Sequence, residues 1–302
     1  MAMRTRMLSA ARMVVFCLTG LLATTASAQD KLPRSGLQEP VYRVAERPDD
    51  AATGDQIAAV TTSAIGEVIP GEHPLMPAVR WARQSLEGFE SIDDYSAVMI
   101  KRERIDGVLS EIEKMEIKVR HSPFSVYTHF RAPQRLAGQE AIYVEGQNDG
   151  KLLAHPTGIK QKLVGTVSLL PTSPLAMTGS RYPITELGLK RLTARLIEVG
   201  EKDSQFGECD VRYMPGAKMD GRSCTCIEVT HPVKRNNFIF HKARIFVDDE
   251  LNIPIRYESY DWPSQAGGKP VLMEEYTYVN IRLNNGFTNA DFDIRNPSYR
   301  FK

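Results

Sequence analysis

Apolar and polar positions alternate along residues 271–283, VLMEEYTYVNIRL, over the whole length of the segment. Apart from Leu272 and Glu275, one set of alternate positions is apolar or small, and the other carries charged, amide and tyrosine side chains. Successive side chains of a strand point to opposite faces of a sheet, so the pattern predicts a long β-strand with one apolar and one polar, aromatic face. The apolar face comprises Val271, Met273, Thr277, Val279, Ile281 and Leu283.

Similar patterns predict nine further strands, which fall into two groups on either side of a helical middle. Asp106-Gly107 separates two of these strands and is a strong signal for a two-residue hairpin. The predicted strands are 95–105, 108–120, 123–133, 140–146, 151–156, 206–214, 222–230, 237–248, 253–261 and 271–283.

Apolar residues at three- and four-residue steps predict three helices, at 75–89, 168–177 and 183–202. Pro77 suits the first turn of the first helix. Proline residues punctuate the two helices in the middle of the chain. The apolar stripe of the third helix comprises Leu189, Leu192, Leu196 and Val199.

The order of these elements is one helix, five strands, two helices and five strands, which predicts an α+β fold. Strands joined by short turns pair antiparallel, which argues against a βαβ core. A single antiparallel sheet of about ten strands has to curl or close. We therefore predict a curled antiparallel sheet, an incomplete β-barrel, with helices capping its concave face.

The N-terminal residues have the pattern of a secretory signal peptide, 1–28. Three arginines precede a short apolar run that ends in Ala26-Ser27-Ala28, and the run is too short to span a bilayer. Residues 29–74 mix Pro, Gly, Asp and Ala without a sustained period, which favours a flexible leader over a segment that folds onto a partner. One domain is then expected over 75–302, in a soluble protein that is exported to the periplasm or the extracellular space.

The charge balance and the motifs exclude several functional classes. The chain has 38 Lys and Arg against 37 Asp and Glu, and loss of the signal peptide leaves 35 against 37, which argues against nucleic-acid binding through bulk charge. The six histidines lack metalloprotease spacing, and no nucleophile or phosphate-binding motif is present. We expect no catalytic residue, cofactor or metal, and no transmembrane segment after the signal peptide. A hydrolase is the weaker alternative.

Three cysteines remain after the signal peptide: Cys209, Cys224 and Cys226. The predicted hairpin around PGAKMDG places the first on one strand and the other two on the returning strand, where alternation puts both on one face. In an oxidising compartment this predicts one cross-strand disulfide, from Cys209 to Cys226 or to Cys224. A metal site that adds His231 has suitable residue types but no standard spacing.

Two long segments carry a resemblance to a known family. YSAVMIKRERIDGVLSEIEKMEIKVRHSPFSVYTHFRAP, near the start of the domain, and FVDDELNIPIRYESYDWP with LMEEYTYVNIRLNNGFTNADFDIRNPSYRF, near its end, resemble an exported bacterial family, the domain of unknown function 1571. The likeness covers about 75–302. The pattern is more distantly similar to the LolA family of periplasmic lipoprotein carriers, which are incomplete antiparallel barrels whose concave apolar face, lidded by helices, holds acyl chains.

The likeness to the LolA family implies a carrier or sensor that binds an acyl chain or a lipoprotein. In that family an arginine before a proline, after the third strand, bonds to the lid helices, and Arg131 in HFRAPQRL is at the nearest matching position, which makes it a lid-latch candidate. The alternative is a non-enzymatic interaction module with a filled core, docking on an envelope protein. The cavity candidates are Val98, Ile100, Leu192, Leu196, Val279, Ile281 and Leu283.

The alternate face of the strand 271–283 carries Tyr276 and Tyr278, and the preceding strand carries Tyr257 and Tyr260. Cross-strand aromatic pairs stabilise sheets, so a structural ladder is the preferred interpretation of these four residues. The alternative is an aromatic lining at the mouth of a cavity.

Overall fold

A computed structural model of the protein describes Ile65 and residues 69–158, 165–265 and 267–301. The predicted signal peptide and most of the predicted leader, 29–74, lie outside the described residues. The described part of that leader contacts the domain, since Ile65 is buried in an apolar cluster and His73 Nε2 lies 2.9 Å from the carbonyl oxygen of Phe206.

The strands form one antiparallel sheet in the order β7-β6-β5-β4-β3-β1-β12-β11-β10-β9-β8, with β2 paired to β1 as a short extension. The two edges of the described sheet are β7 and β8, so the predicted incomplete, curled barrel is confirmed. The strands are β1 Asp94–Ile105, β2 Val108–Leu109, β3 Glu113–Arg120, β4 Ser125–Ala132, β5 Glu140–Val144, β6 Leu152–His155, β7 Val167–Leu169, β8 Asp210–Met219, β9 Arg222–Thr230, β10 Lys242–Asp248, β11 Pro254–Asp261 and β12 Val271–Leu283.

The pairing of β1 with β12 joins the first half of the sheet to the second. Ile100 lies opposite Thr277, and the register shifts between Ser96 and Val98. Asn280 has φ 54° at this shift. A β-bulge places two residues of one strand opposite one of its partner, so the side chains of β12 exchange faces beyond Asn280.

Two α-helices pack together on one face of the sheet: α1, Met76–Gly88, and α2, Leu189–Asp203. The two helices approach closely, because a Cβ built on Gly200 would lie only 2.8 Å from Cγ2 of Val79. Pro77 occupies the first turn of α1, as predicted, where a missing N–H costs no hydrogen bond. Short 3-10 helices lie at Phe89–Ser91, Asn148–Gly150, Ile184–Glu186 and Asn289–Phe292.

The first turn of α2 is attached to the centre of the sheet. The backbone N–H of Leu189 donates to the hydroxyl of Tyr95, at 2.9 Å, and both residues are fully buried. Gly188, just before α2, has φ +125°, and a Cβ there would meet that hydroxyl at 3.0 Å. Glycine is therefore required at the point where the helix meets β1.

The predicted helix 168–177 is wrong. The structure has β7 at Val167–Leu169 and then a series of turns closed by bonds such as Met177 N–H to the Ser173 carbonyl, at 2.9 Å. Pro171 and Pro174 lack the N–H groups that a helix would use at these positions. The predicted strand 108–120 is interrupted and forms β2 and β3.

Both faces of the sheet are covered by packed residues. On the helix side, one apolar cluster includes Phe89 and Tyr95, and a second includes Trp81, Ile227 and Ile245. On the opposite side, the segment after β12 returns across β4 and β5, where Tyr299 stacks on Tyr127 with ring centroids 4.0 Å apart. The C-terminal segment thus covers the β4 and β5 part of the face that the helices leave free. The cluster it forms comprises Tyr127, Ile142, Val144, Phe292 and Phe301.

Candidate functional site

A cavity of about 1270 Å³ lies between the helix side of the sheet and the helices. Its volume exceeds the roughly 300–1,000 Å³ typical of sites for drug-sized ligands. Strands from both halves of the sheet contribute to its wall, together with α1 and α2. Apolar residues that line it include Met99, Met115, Phe130, Ile227, Ile245 and Leu192.

The structure brings only part of the predicted cavity set to this site. Leu192 and Leu196 of α2 line the cavity. Val98, Ile100 and Val279 do not, and they lie on the opposite face of the sheet. From Tyr95 onward the buried positions of β1 are Tyr95, Ala97, Met99, Lys101 and Glu103, so the intervening residues point away from the helices. Between Glu274 and Val279 of β12, alternation separated the two faces correctly, but the face expected to line the cavity is the outer one.

Ile281 and Leu283 have a different placement. Both pack against the core cluster on the helix side, because the bulge at Asn280 returns the end of β12 to that face. Neither lines the cavity, since this end of β12 packs near Tyr95, opposite Leu283 in the register. These two residues support the fold beside the site.

Tyrosines form part of the cavity wall. Tyr257, Tyr276 and Tyr278 all line it, and the rings of the first two stack at 6.4 Å with an interplanar angle of 12°. Three of the four tyrosines therefore line the cavity, and two of these three also form a stacked cross-strand pair. Tyr260 lies on the other face, where its hydroxyl donates to Glu258.

One part of the cavity wall is charged; we call it the polar corner. Its members come from three strands, and Lys101 Nζ lies 2.8 Å from Oε2 of Glu103 and 3.5 Å from Oε2 of Glu113. The hydroxyl of Tyr276 donates to Glu103 at 2.5 Å and lies 3.3 Å from Oε2 of Glu274. The polar corner comprises Lys101, Glu103, Glu113, Glu274 and Tyr276, and all of them are at least nine-tenths buried.

The connection between β7 and α2 is attached to the polar corner. Arg181 Nε forms an ion pair with Glu274 at 2.9 Å, and Tyr182 donates its hydroxyl to the same carboxylate at 3.2 Å. Lys101 Nζ donates to Ser180 Oγ at 3.2 Å. The segment 180–182 therefore closes over this part of the cavity.

Burial changes the acid–base chemistry of the polar corner. Desolvation raises the pKa of Glu113, against the lowering effect of Lys101. Desolvation and the carboxylate of Glu274 raise the pKa of Tyr182 to about 12. Burial and the neighbouring carboxylates raise the pKa of Tyr276, so this hydroxyl stays protonated and donates. The polar corner can thus exchange hydrogen bonds with a polar group placed in the cavity.

Arg131, the lid-latch candidate, bonds to a neighbouring strand of the sheet. Its guanidinium pairs with Glu116 of β3 at 2.7 Å, and both side chains are about half exposed. The register of β3 with β4 shifts at this point, so Arg131 is the extra residue of a bulge and points away from the helices. Arg181, which the sequence analysis did not single out, is the arginine that bonds the connection to the sheet.

The predicted disulfide is not formed, and all three cysteines are free and buried. Strand β8 continues through a bulge to Met219, so the hairpin turn is confined to Asp220-Gly221, the last two residues of PGAKMDG. Met214 then lies opposite Cys226 and Ala217 opposite Cys224, which leaves Cys209 beyond the reach of either. Burial raises the pKa of each thiol to about 12.

The described residues contain no group of three or more His, Cys, Asp or Glu side chains that could hold a metal ion. His231, the fourth ligand of the alternative metal site, bonds through Nε2 to Asp203 Oδ2 at 3.0 Å. No helix within the described residues combines the length and the apolar character needed to cross a bilayer.

Three solved structures illustrate what the fold is similar to. Lipoprotein LppX of Mycobacterium tuberculosis is 13% identical, with 72% of this chain and 100% of that chain covered and a TM-score of 0.41. A putative outer membrane lipoprotein-sorting protein domain from Vibrio parahaemolyticus is 14% identical, with 71% and 95% covered and a TM-score of 0.35. A LolA superfamily protein from Nitrosomonas europaea is 12% identical, with 70% and 97% covered and a TM-score of 0.29.

At these identities and TM-scores the structural matches assign no function to the chain. No curated protein matches the sequence. A family model, however, matches residues 92–301, which include all twelve strands and α2. The chain belongs to the family described as "Protein of unknown function (DUF1571)", as its sequence predicts.

Proposed function

We propose that this protein is an exported, non-enzymatic carrier or sensor that holds an acyl chain, free or as part of a lipoprotein, between the sheet and the helices. The cavity of about 1270 Å³ is the observation that supports the proposal. Its volume suits a ligand larger than a typical small metabolite. The signal-peptide pattern at residues 1–28 supports export.

The chemistry of the wall favours an amphiphile. Apolar side chains line most of the cavity, and burying an acyl chain against them gains roughly 0.8 kcal/mol per CH₂ group. The polar corner adds a group of buried hydrogen-bonding partners to one part of the wall. A largely apolar ligand that carries a polar group matches this arrangement.

The alternative is an interaction module of the same fold with a filled core, which would dock on an envelope protein. That function needs no internal space. A cavity of this size costs stability when it is empty, because its lining loses contacts that a filled core would make. We therefore favour the carrier.

Native mass spectrometry of the protein, purified without detergent from a host that exports it, tests this proposal. We expect a mature chain that begins at Gln29 and carries extra mass that organic solvent removes as lipid. Fluorescent fatty acid should then bind to the delipidated protein. A chain that never carries lipid and does not bind the probe would favour the interaction module.

A pair of variants locates the ligand. Ala154→Trp fills the cavity from β6, whereas Val98→Trp adds the same side chain to the opposite face of the sheet. We expect the first variant to lose most of the retained lipid and the second to keep it, with both folded by circular dichroism. Equal retention by the two variants would place the ligand outside this cavity.

A further inference from the structure

Two exposed large apolar side chains lie in the loop between β9 and β10, residues 231–241, which we call the rim loop. Val233 is 50% exposed and Ile239 58%. Phe206, which follows α2, is 37% exposed and contacts the loop through Phe238, with ring centroids 5.7 Å apart. Single exposed apolar residues are common on protein surfaces, but a group of three on one contiguous feature calls for a partner.

Contacts with the rest of the protein hold the rim loop in a conformation that leaves part of it exposed. Phe238 is buried and stacks on His231 with ring centroids 3.8 Å apart and an angle of 9° between the rings. His231 in turn bonds to Asp203, the last residue of α2. These contacts fix the rim loop to the end of the helix and leave Val233 and Ile239 outside.

The rim loop is continuous with the cavity. Ile239 and its neighbour Phe240 both line the cavity, and Ile239 is nevertheless more than half exposed. Ile239 therefore stands at an opening of the cavity. An apolar ligand that passes this opening meets the exposed apolar residues of the loop first.

The charge of the rim loop is entirely positive. Its sequence, HPVKRNNFIFH, contains Lys234 and Arg235 and no acidic residue. Arg235 pairs with Glu208, whereas Lys234 is 68% exposed and its ammonium lies 3.8 Å from Asp261. A cation beside exposed apolar side chains is the combination that attracts proteins to anionic membrane surfaces.

We infer that the rim loop docks on an anionic lipid bilayer. Val233 and Ile239 enter the boundary between headgroups and acyl chains, and Lys234 contacts anionic headgroups. The cavity opening at Ile239 then faces the bilayer, so an acyl chain moves between them without crossing water. The docking depends only on the exposed loop, and its link to cargo transfer rests on the proposed function.

Vesicle flotation tests the docking, with the mature protein and vesicles of phosphatidylcholine alone or mixed with phosphatidylglycerol. We expect binding to the anionic vesicles that weakens as salt is added. Val233→Glu should reduce the bound fraction about tenfold or more, because a carboxylate replaces an apolar side chain at the interface. Lys234→Gln should reduce binding to anionic vesicles only and flatten the salt dependence.

Leu170→Glu is the matched control, because Leu170 is 54% exposed but lies after β7. This variant should bind vesicles as the parent does. Neither Val233 nor Leu170 lines the cavity, so neither substitution should change the lipid seen by native mass spectrometry. Vesicle binding without cavity lipid would retain the docking and reject the carrier.

Three results would overturn the inference. The first is a parent protein that binds neither kind of vesicle. The second is binding at the parent level by both single variants, Val233→Glu and Lys234→Gln. The third is loss of binding in Leu170→Glu and in neither of the other two variants. If the parent protein binds no vesicles but its rim loop binds an envelope protein, that protein replaces the bilayer as the partner.

Discussion

The two faces of the β1–β12 pair differ in an unexpected way. The face toward the helices carries Lys101, Glu103, Glu274, Tyr276 and Tyr278, and it is the more deeply buried. The opposite face carries aliphatic residues such as Val98, Ile100 and Val279, which are only partly buried.

This difference shows that the more deeply buried face of a strand pair is not always the more hydrophobic one. The polar residues of the inner face are buried because they satisfy one another, through the ion pair of Lys101 with Glu103 at 2.8 Å and the hydrogen bond from Tyr276 to Glu103 at 2.5 Å. A buried face need not be the apolar one.

Neighbouring residues on β12 give the largest expected contrast in stability. Tyr278 is 4% exposed on the inner face, and Tyr278→Ala should lower the free energy of unfolding by about 3 kcal/mol. Val279→Ala, on the partly buried outer face, should cost less than about 1 kcal/mol. Urea denaturation measures both, and similar losses would mean that the assignment of the two faces is incorrect.

The periodicity of the sequence predicted most of the sheet. Strand β12 has the predicted bounds, Val271–Leu283, and the helix near residues 75–89 is present as α1. Alternation depends only on neighbouring residues, so it identifies a strand from the sequence alone. The direction in which each face points depends on what packs there, and tyrosine, lysine and glutamate at the inner positions gave the wrong signal.

The bulges and the polar corner are features that the sequence pattern could not predict. A bulge at Asn280 changes the face of Ile281, and another between Met214 and Ala217 moves the cysteines out of register. Neither is visible as a break in the pattern. The polar corner unites residues of β1, β3 and β12, which are far apart in sequence, so no local spacing could reveal it. Leu192 and Leu196 were found because they share one helical stripe.

Substitutions of two arginines test which contacts hold the segment 180–182 over the cavity. Arg181 pairs with the buried carboxylate of Glu274 and is itself about one-third exposed, so Arg181→Ala should cost about 1–2 kcal/mol. Arg131 pairs with an exposed glutamate on the outer face, so Arg131→Ala should change stability by less than about 0.5 kcal/mol.

Limited proteolysis distinguishes loss of stability from opening of the segment. Chymotrypsin should cleave the connection after Leu175, which is 64% exposed and is followed by Ala176, faster in Arg181→Ala than in the parent, because the connection loses its contact with Glu274. Arg131→Ala serves as the matched control and should be cleaved at the parent rate. If the two variants were cleaved alike, Arg181 would have no part in holding the connection closed.

The smallest expected effects concern pH and have opposite signs on the two faces. On the inner face, desolvation raises the pKa of Glu113, so its ionised form weakens the fold at neutral pH, and this penalty disappears as the pH falls through the raised pKa. On the outer face, burial of Asp291 is outweighed by its bonds to Lys118 and Thr288, and its pKa is lowered. That carboxylate stabilises the fold above its unfolded pKa, and the contribution is lost as the pH falls through the lowered one.

Glu113→Gln should therefore raise the urea midpoint at pH 7, and Asp291→Asn should lower it. The gain from Glu113→Gln should shrink as the pH falls from neutral toward ~4.3, the unfolded pKa of glutamate. The loss from Asp291→Asn should persist to ~3.9, the unfolded pKa of aspartate, and shrink only below it. Urea denaturation across this range measures both. A lower midpoint for Glu113→Gln at pH 7 would mean that the ion pairs of Glu113 with Lys101 and Arg135 outweigh the cost of burying its carboxylate. The ionised carboxylate would then stabilise the inner face.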